Sequence, residues 1–444
     1  MNQHDQSTNF WDKNKALIKG VFIGFLTLVM LIPQVFISGL VSERRERREE
    51  VIKEISGKWA SAQTIKGPLL MVPYIEKVTT NGKAAIIRKT IYLPAEELKI
   101  DADIQPEKRH RSLFDVTLYN ASINMQGKFA SVPLALMQVP YGHVLWNEVK
   151  LIMGIDDLKG LGDEIKTVWN GTKRSVSQAF ADSGFKNAIT IPITIDSAHD
   201  GVFSIALHLK GSGLLYFTPS GKTTEVTLHA PWKDPAFGGA YLPSNTPLVN
   251  DKGFTAHWKI LPFAHTCAAY WENTTAPFYH TDFGVTLLQP ADGYAKTERA
   301  VKYALLFISL TFVVFFFLEI LQKKEIHPLQ YIPVGFALCI FYTLLLSISE
   351  YLGFNIAYVI AAVAIVSLIG LYVMRLFTST KTGISFASAL AALYTYIFIL
   401  IQLQDYALLF GSIGLFVIIA ILMYYSGKIN WYHTKINSHE KSID

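Results

Sequence analysis

The stretch YALLFISLTFVVFFFLEILQ, residues 303–322, holds a single ionisable side chain, Glu319. In hydrocarbon every backbone N–H and C=O must be paired inside the segment, so a run this long and apolar reads as a spanning helix and not as a strand. Four charge-free windows follow with barely room for turns, at 328–349, 351–374, 382–404 and 406–427, and another stands far upstream at 20–41. The pattern predicts six transmembrane helices, one N-terminal and five C-terminal. Lys13, Lys15 and Lys19 precede the first window as they would in a signal peptide. Its apolar run exceeds the usual h-region of about 7 to 15 residues and no A-x-A site follows Leu40, so it reads as an uncleaved anchor.

Composition agrees with a hybrid of membrane and water-soluble parts. Of 444 residues, 51% are hydrophobic and 17% charged, against about 25% charged in an ordinary soluble chain. A net charge of +5, spread along the chain, argues against a nucleic-acid partner. The two cysteines, Cys267 and Cys339, are too few and too far apart for a disulfide framework.

Lys and Arg near the span ends set the orientation, since positive short loops stay in the cytoplasm. Lys13, Lys15, Lys19, Lys323, Lys324, Arg375, Lys381, Lys428, Lys435 and Lys441 fall on one side, whereas the opposite short loops hold only Glu350 and Asp405. Residues 1–19 and 428–444 are therefore expected in the cytoplasm and 42–302 in the periplasm of a bacterial inner membrane. Arg44, Arg45, Arg47, Arg48, Lys296, Arg299 and Lys302 pull the other way. Long domains cross largely regardless of charge, so the periplasmic placement is kept.

Within this outer segment, 42–60 reads as a charged helical stalk with Val51, Ile52, Ile55 and Trp59 on one side, and the arginines on a solvated face. Beyond Gly67-Pro68 the period becomes two: Ile189, Ile191, Ile193 and Ile195 alternate with polar residues or Pro192, as do Phe203, Ile205, Leu207 and Leu209. Pro192 points to an edge or a bulge. Residues 214–218 and 224–230, separated by Pro219-Ser220-Gly221, read as a hairpin, and 156–161 and 175–181 as irregular or helical insertions. Around ten such runs suggest an antiparallel, mainly β, sandwich-like domain. The whole is an α+β multi-pass membrane protein with a large inserted periplasmic domain.

No catalytic constellation appears. Ser220-Gly221-Lys222-Thr223 resembles the end of a phosphate-binding loop, but Tyr216 stands where that loop needs glycine, and it reads as a turn. His265 and Cys267 could share a strand face, yet zinc wants three or four ligands. No metal, cofactor or enzymatic activity is expected. Glu319 is the one ionisable residue well inside a span and a functional suspect for that reason. It lies near the cytoplasmic end, where Lys323, Lys324 and His327 could pair with it. Glu350 reads as solvated turn chemistry, and Pro33 and Pro333 as kink positions.

Several ordered motifs together carry a family resemblance: Gly67-Pro68-Leu69 with Pro73, Tyr92-Leu93-Pro94, Phe254-x-Ala256-His257-Trp258, Pro290-Ala291-Asp292-x-Tyr294, Thr297-x-Arg299-Ala300-x-Lys302-Tyr303, His327-Pro328-Leu329-Gln330-Tyr331, Ser349-Glu350 and Asn430-Trp431-Tyr432. The chain resembles the CreD family of bacterial inner-membrane proteins over nearly its whole length. The resemblance implies a role in cell envelope integrity or the envelope stress response, and no catalytic residues. With Glu319 it marks His327, Pro328, Gln330, Tyr331 and Glu350 as candidate functional or structural membrane residues. Besides the lipid bilayer, the expected partner is a periplasmic envelope component, with homo-oligomerisation left open. The alternative is a transporter or flippase using the five clustered helices, with Glu319 and His327 as gate or proton site.

Overall fold

A computed structural model describes residues 15–80, 83–111, 113–179, 185, 187–195, 200–264, 270–272, 281–287, 293–322, 324, 326–403 and 406–427. His265, Cys267, Lys323, Asp405 and the 430–432 motif lie outside the described residues. The chain divides into two compact units, Met1–Arg47 with Ala291–Asp444, and Arg48–Pro290.

The first unit contains α1 (Lys15–Val29), the start of α2 (Leu31–Trp59), α3 (Gly293–Lys302), α4 (Ala304–Leu321), α5 (Tyr331–Leu352), α6 (Phe354–Phe377), α7 (Thr380–Gln402) and α8 (Ala407–Gly427). Among the described residues six helices are long and apolar enough to cross a membrane, one near the N-terminus and five C-terminal. α1 and α2 form a single run interrupted at Met30. Pro33, three residues on, explains the break: it has no N–H to give the carbonyl of Val29. At the interruption itself, the Met30 carbonyl accepts the Cys339 thiol at 3.8 Å. Pro333 lies in the first turn of α5, where a missing N–H breaks no helical bond. Between α5 and α6, Gly353 alone makes the turn with φ +75°, a conformation glycine reaches without a Cβ clash.

Aromatic rings fill the helical core. Phe307 meets Tyr394 edge-on at 4.3 Å between centroids, and Phe315 meets Tyr331 at 4.7 Å and Phe386 at 5.6 Å. α8 docks through Gly414, where a Cβ would lie 2.1 Å from the Tyr396 hydroxyl. That hydroxyl donates to the carbonyls of Phe410 and Gly411 at 3.1 and 3.2 Å.

The second unit is a β structure with sixteen strands among the described residues. Its strands are β1 (Gln63–Thr80), β2 (Lys83–Arg111), β3 (Phe114–Phe129), β4 (Lys150–Ile155), β5 (Lys166–Trp169), β6 (Thr172–Arg174), β7 (Ser177–Ala179) and β8 (Ala188–Pro192). They continue with β9 (Gly201–Ser212), β10 (Leu214–Phe217), β11 (Gly221–Ala230), β12 (Pro235–Gly239), β13 (Leu248–Asn250), β14 (Gly253–Ile260), β15 (Trp271–Glu272) and β16 (Phe283–Leu287). β2 belongs to two sheets. Up to Pro94 it pairs antiparallel with β1, and from Ala95 onward it lies parallel to β11, with β3 on its other side from Glu97. One sheet extends through β1, β10, β16 and β12 with β4, β8 and β7, and the other through β14 and β13 on one flank and β3, β9, β5 and β6 on the other. Apolar faces of both sheets form one buried cluster that includes Phe129, Phe203, Phe217, Trp169, Trp258 and Phe283. Pro192 is the last residue of β8, consistent with a residue that cannot donate to a ladder.

Two expectations need correction. Residues 214–218 and 224–230 do not form a hairpin: β10 pairs with β1 and β16, whereas β11 pairs with β2 and β14. The cause lies in Thr218 and Ser220, both fully buried. Thr218 donates to Asp282 at 2.5 Å and Ser220 accepts the N–H of Gly67 at 3.1 Å, so the connection is stitched inside and the chain crosses between sheets. The pairings β1 with β10 and β2 with β11 are parallel within an otherwise antiparallel fold. Ser177–Ala179, expected as an insertion, is the strand β7 paired with β8.

The end of the stalk is fixed to the sheet. Trp59 lies between Arg109 and Lys210, 4.3 and 4.7 Å from its ring. Glu54 accepts Lys58 at 2.7 Å and Arg111 at 3.0 Å, and those bonds hold its carboxyl below the ordinary value.

Candidate functional site

Glu319 stands in the last turn of α4, 7% exposed. An isolated carboxylate there would cost several kcal/mol in lost hydration. Among the described residues three donors meet it. Lys19 of α1 forms an ion pair with Oε1 and also donates to the carbonyl of Ile326. The backbone N–H of Ile326 donates to Oε1 at 3.1 Å and the Tyr331 hydroxyl to Oε2 at 2.8 Å. The Tyr331 ring is fully buried, held edge-on by Phe315 at 4.7 Å and Phe312 at 5.9 Å, with the Lys19 ammonium 5.9 Å from its centroid. The result is a net-neutral clamp joining α1, the end of α4, the following loop and the start of α5.

Of the sequence-based partners of Glu319, Lys324 and His327 are placed otherwise, and Lys323 lies outside the described residues. Lys324 donates to the carbonyl of Leu376 at 2.6 Å, near the C-terminus of α6, where a cation is favoured. The His327 ring accepts the N–H of Leu329 at 3.3 Å, and Gln330 Oε1 accepts the N–H of His327 at 3.1 Å. This reciprocal cap, with Pro328 in first position, starts the turn that leads into α5. The Gln330 carbonyl accepts the Tyr372 hydroxyl at 3.3 Å. Thus Glu319 and Tyr331 come together, while His327, Pro328 and Gln330 shape the helix start beside them. Lys19, the residue sequence reasoning missed, was visible only as one of several lysines flanking the first span.

Glu350 stands in the last turn of α5, with a side chain 9% exposed. It accepts the Tyr294 hydroxyl at 3.0 Å and lies 3.8 Å from Arg44. The solvated-turn reading is replaced by a partly buried contact, because α3 and the start of α2 reach over the turn. Arg45 meets Glu298 at 3.3 Å, so these arginines have carboxylate partners and not simply a solvated face. Among the described residues no group of three or more His, Cys, Asp or Glu side chains could hold a metal ion.

A bundle of apolar helices closed by a buried ion pair, with a large β unit inserted between the first and second spans, defines a multi-pass membrane protein. The chain belongs to the CreD family of inner membrane proteins, whose model, described as Inner membrane protein CreD, matches residues 15–432. It is similar to Inner membrane protein CreD of Escherichia coli (strain K12), 29% identical over 420 residues and covering 91% of each chain.

Proposed function

We propose that the β unit faces the periplasm and binds a component of the cell envelope, that the helices anchor it, and that this contact contributes to envelope integrity or the envelope stress response. The closed state of Glu319 carries the reading. The best candidate in the spans for a proton or substrate site spends its carboxylate on Lys19, Tyr331 and a backbone N–H. A transport site would instead gather polar groups free to exchange partners near mid-membrane. The orientation is supported by charge pairing. Arg44 is opposed by Glu350, and Arg45 and Lys302 by Glu298, so these cations are held within the protein, and a segment as long as 42–302 crosses largely regardless of its charge.

One observation favours the alternative of a transporter or flippase. Gln34 of α2 is 6% exposed and neither atom of its amide has a hydrogen-bond partner among the described residues. The two readings separate in cells lacking the native protein. A photoreactive residue in place of Phe263, which is fully exposed on the β unit, is expected to crosslink the full chain to an envelope component. The double variant Lys19→Gln, Glu319→Gln is expected to restore detergent resistance as well as the parent. Loss of resistance in that variant at normal membrane abundance, with no crosslink from the β unit, would reverse the conclusion in favour of transport.

A further inference from the structure

Helix α3 ends just before the span α4 begins, and its charges divide into two groups. Glu298 is claimed by Arg45 at 3.3 Å and Lys302 at 3.0 Å. Lys296 and Arg299, three residues apart and so neighbours on the helix surface, have only neutral acceptors among the described residues. Lys296 donates to Gln402 Oε1 at 2.7 Å and Arg299 to the carbonyl of Ile401 at 3.3 Å. No carboxylate among the described residues lies within ion-pair distance of either. The Gln402 amide is held in turn by Asn355 Oδ1 at 2.6 Å, and the Phe354 ring lies 5.7 Å from the Lys296 ammonium.

Capping the C-terminus of α7 accounts for part of this arrangement. A helix end offers about half a negative charge, so among the described residues two full cations leave roughly one and a half unopposed. Donors are left over as well, since lysine has three and arginine five, and each residue uses one here. Lys296 is partly desolvated and repelled by Arg299, which lowers its proton affinity from the ordinary lysine value. Such a position is costly unless an anion shares it. The site sits where α3 meets the start of α4, the start of α6 and the end of α7, the level at which a bilayer places its headgroups.

We infer that Lys296 and Arg299, with the Gln402–Asn355 amide pair beside them, bind a phosphate group bearing net negative charge, supplied by the headgroup of an anionic phospholipid. Lys302, already opposed by Glu298, takes no part.

The test uses the full chain purified in neutral detergent and native mass spectrometry to read retained lipid after incubation with phosphatidylglycerol or phosphatidylcholine. Phosphatidylglycerol is expected to be retained selectively. The Lys296→Gln, Arg299→Gln variant should bind it about 30-fold more weakly, each cation near a membrane surface being worth roughly a fivefold change. Lys302→Gln should bind like the parent. Because Arg299 also holds a helix end, Lys296→Gln alone is measured beside the double variant and should lose about fivefold. Millimolar inorganic phosphate distinguishes the sources: failure to displace the lipid supports a headgroup, and ready displacement would make the ligand free phosphate and overturn the lipid assignment. Equal retention by parent and double variant, or equal loss in Lys302→Gln, would overturn the site.

Discussion

Replacing Lys19 by alanine is expected to cost about 3–5 kcal/mol, the usual consequence of leaving one member of a buried ion pair alone. Lys19 is the sole cation paired with Glu319 among the described residues, and Glu319 is almost out of reach of water. Glu319→Ala should be costly for the converse reason, since it strands the ammonium. Replacing both by apolar residues, Lys19→Met with Glu319→Leu, removes the desolvation penalty with the attraction and should lie much closer to the parent. Resistance of the detergent-solubilised chain to unfolding by a denaturing surfactant reads all three. A Lys19→Ala protein as resistant as the parent would mean that the clamp does not hold α1 to the bundle.

Trp258→Ala should be comparably damaging in the other unit, at about 3–5 kcal/mol for a large aromatic removed from a core. Its side chain is fully buried, its ring lies 5.8 Å from Phe237 and 5.7 Å from Phe283, and its indole N–H donates to the carbonyl of Tyr241 at 3.1 Å. Truncation opens a cavity and strands that carbonyl. The two compact units have separate cores, so the loss is expected to be local. Pulse proteolysis of the full chain should cut between Arg48 and Pro290 at lower denaturant than in the parent, with the fragment carrying α4–α8 still protected. Cleavage that begins among the helices would contradict the division into two units.

What could be read from the residues, and what could not, follows from the range of the forces involved. Hydrocarbon imposes its demand on each span separately, so the helix from Ala304 to Leu321 is legible in its own 18 letters. Alternation is likewise local, and β9 shows it plainly from Phe203 to Leu209. Pairing is not local. Nothing in the neighbourhood of Pro219 shows that Thr218 and Ser220 bury their hydroxyls against Asp282 and Gly67, yet those bonds divert the chain from a hairpin into a crossover between sheets. The clamp was half visible for the same reason. Glu319 announced itself as a charge in an apolar run, but its counter-ion lies 300 residues away, and lysines nearer in sequence were plausible partners until the fold placed Lys324 against a helix end. The covering of Glu350 depends on α3, whose polar composition gave no sign of where it would lie.

The most direct test of the proposed role is the side of the membrane on which the β unit lies. In the full chain with Cys267→Ser and Cys339→Ser, a single cysteine at Asp251, whose side chain is 99% exposed, would be treated in intact cells with a maleimide that cannot cross the inner membrane. Labelling at Asp251→Cys without permeabilisation is the predicted result, with a cysteine at Lys381 labelled only after the inner membrane is opened. The opposite pattern would place the β unit in the cytoplasm and remove the basis for an envelope partner.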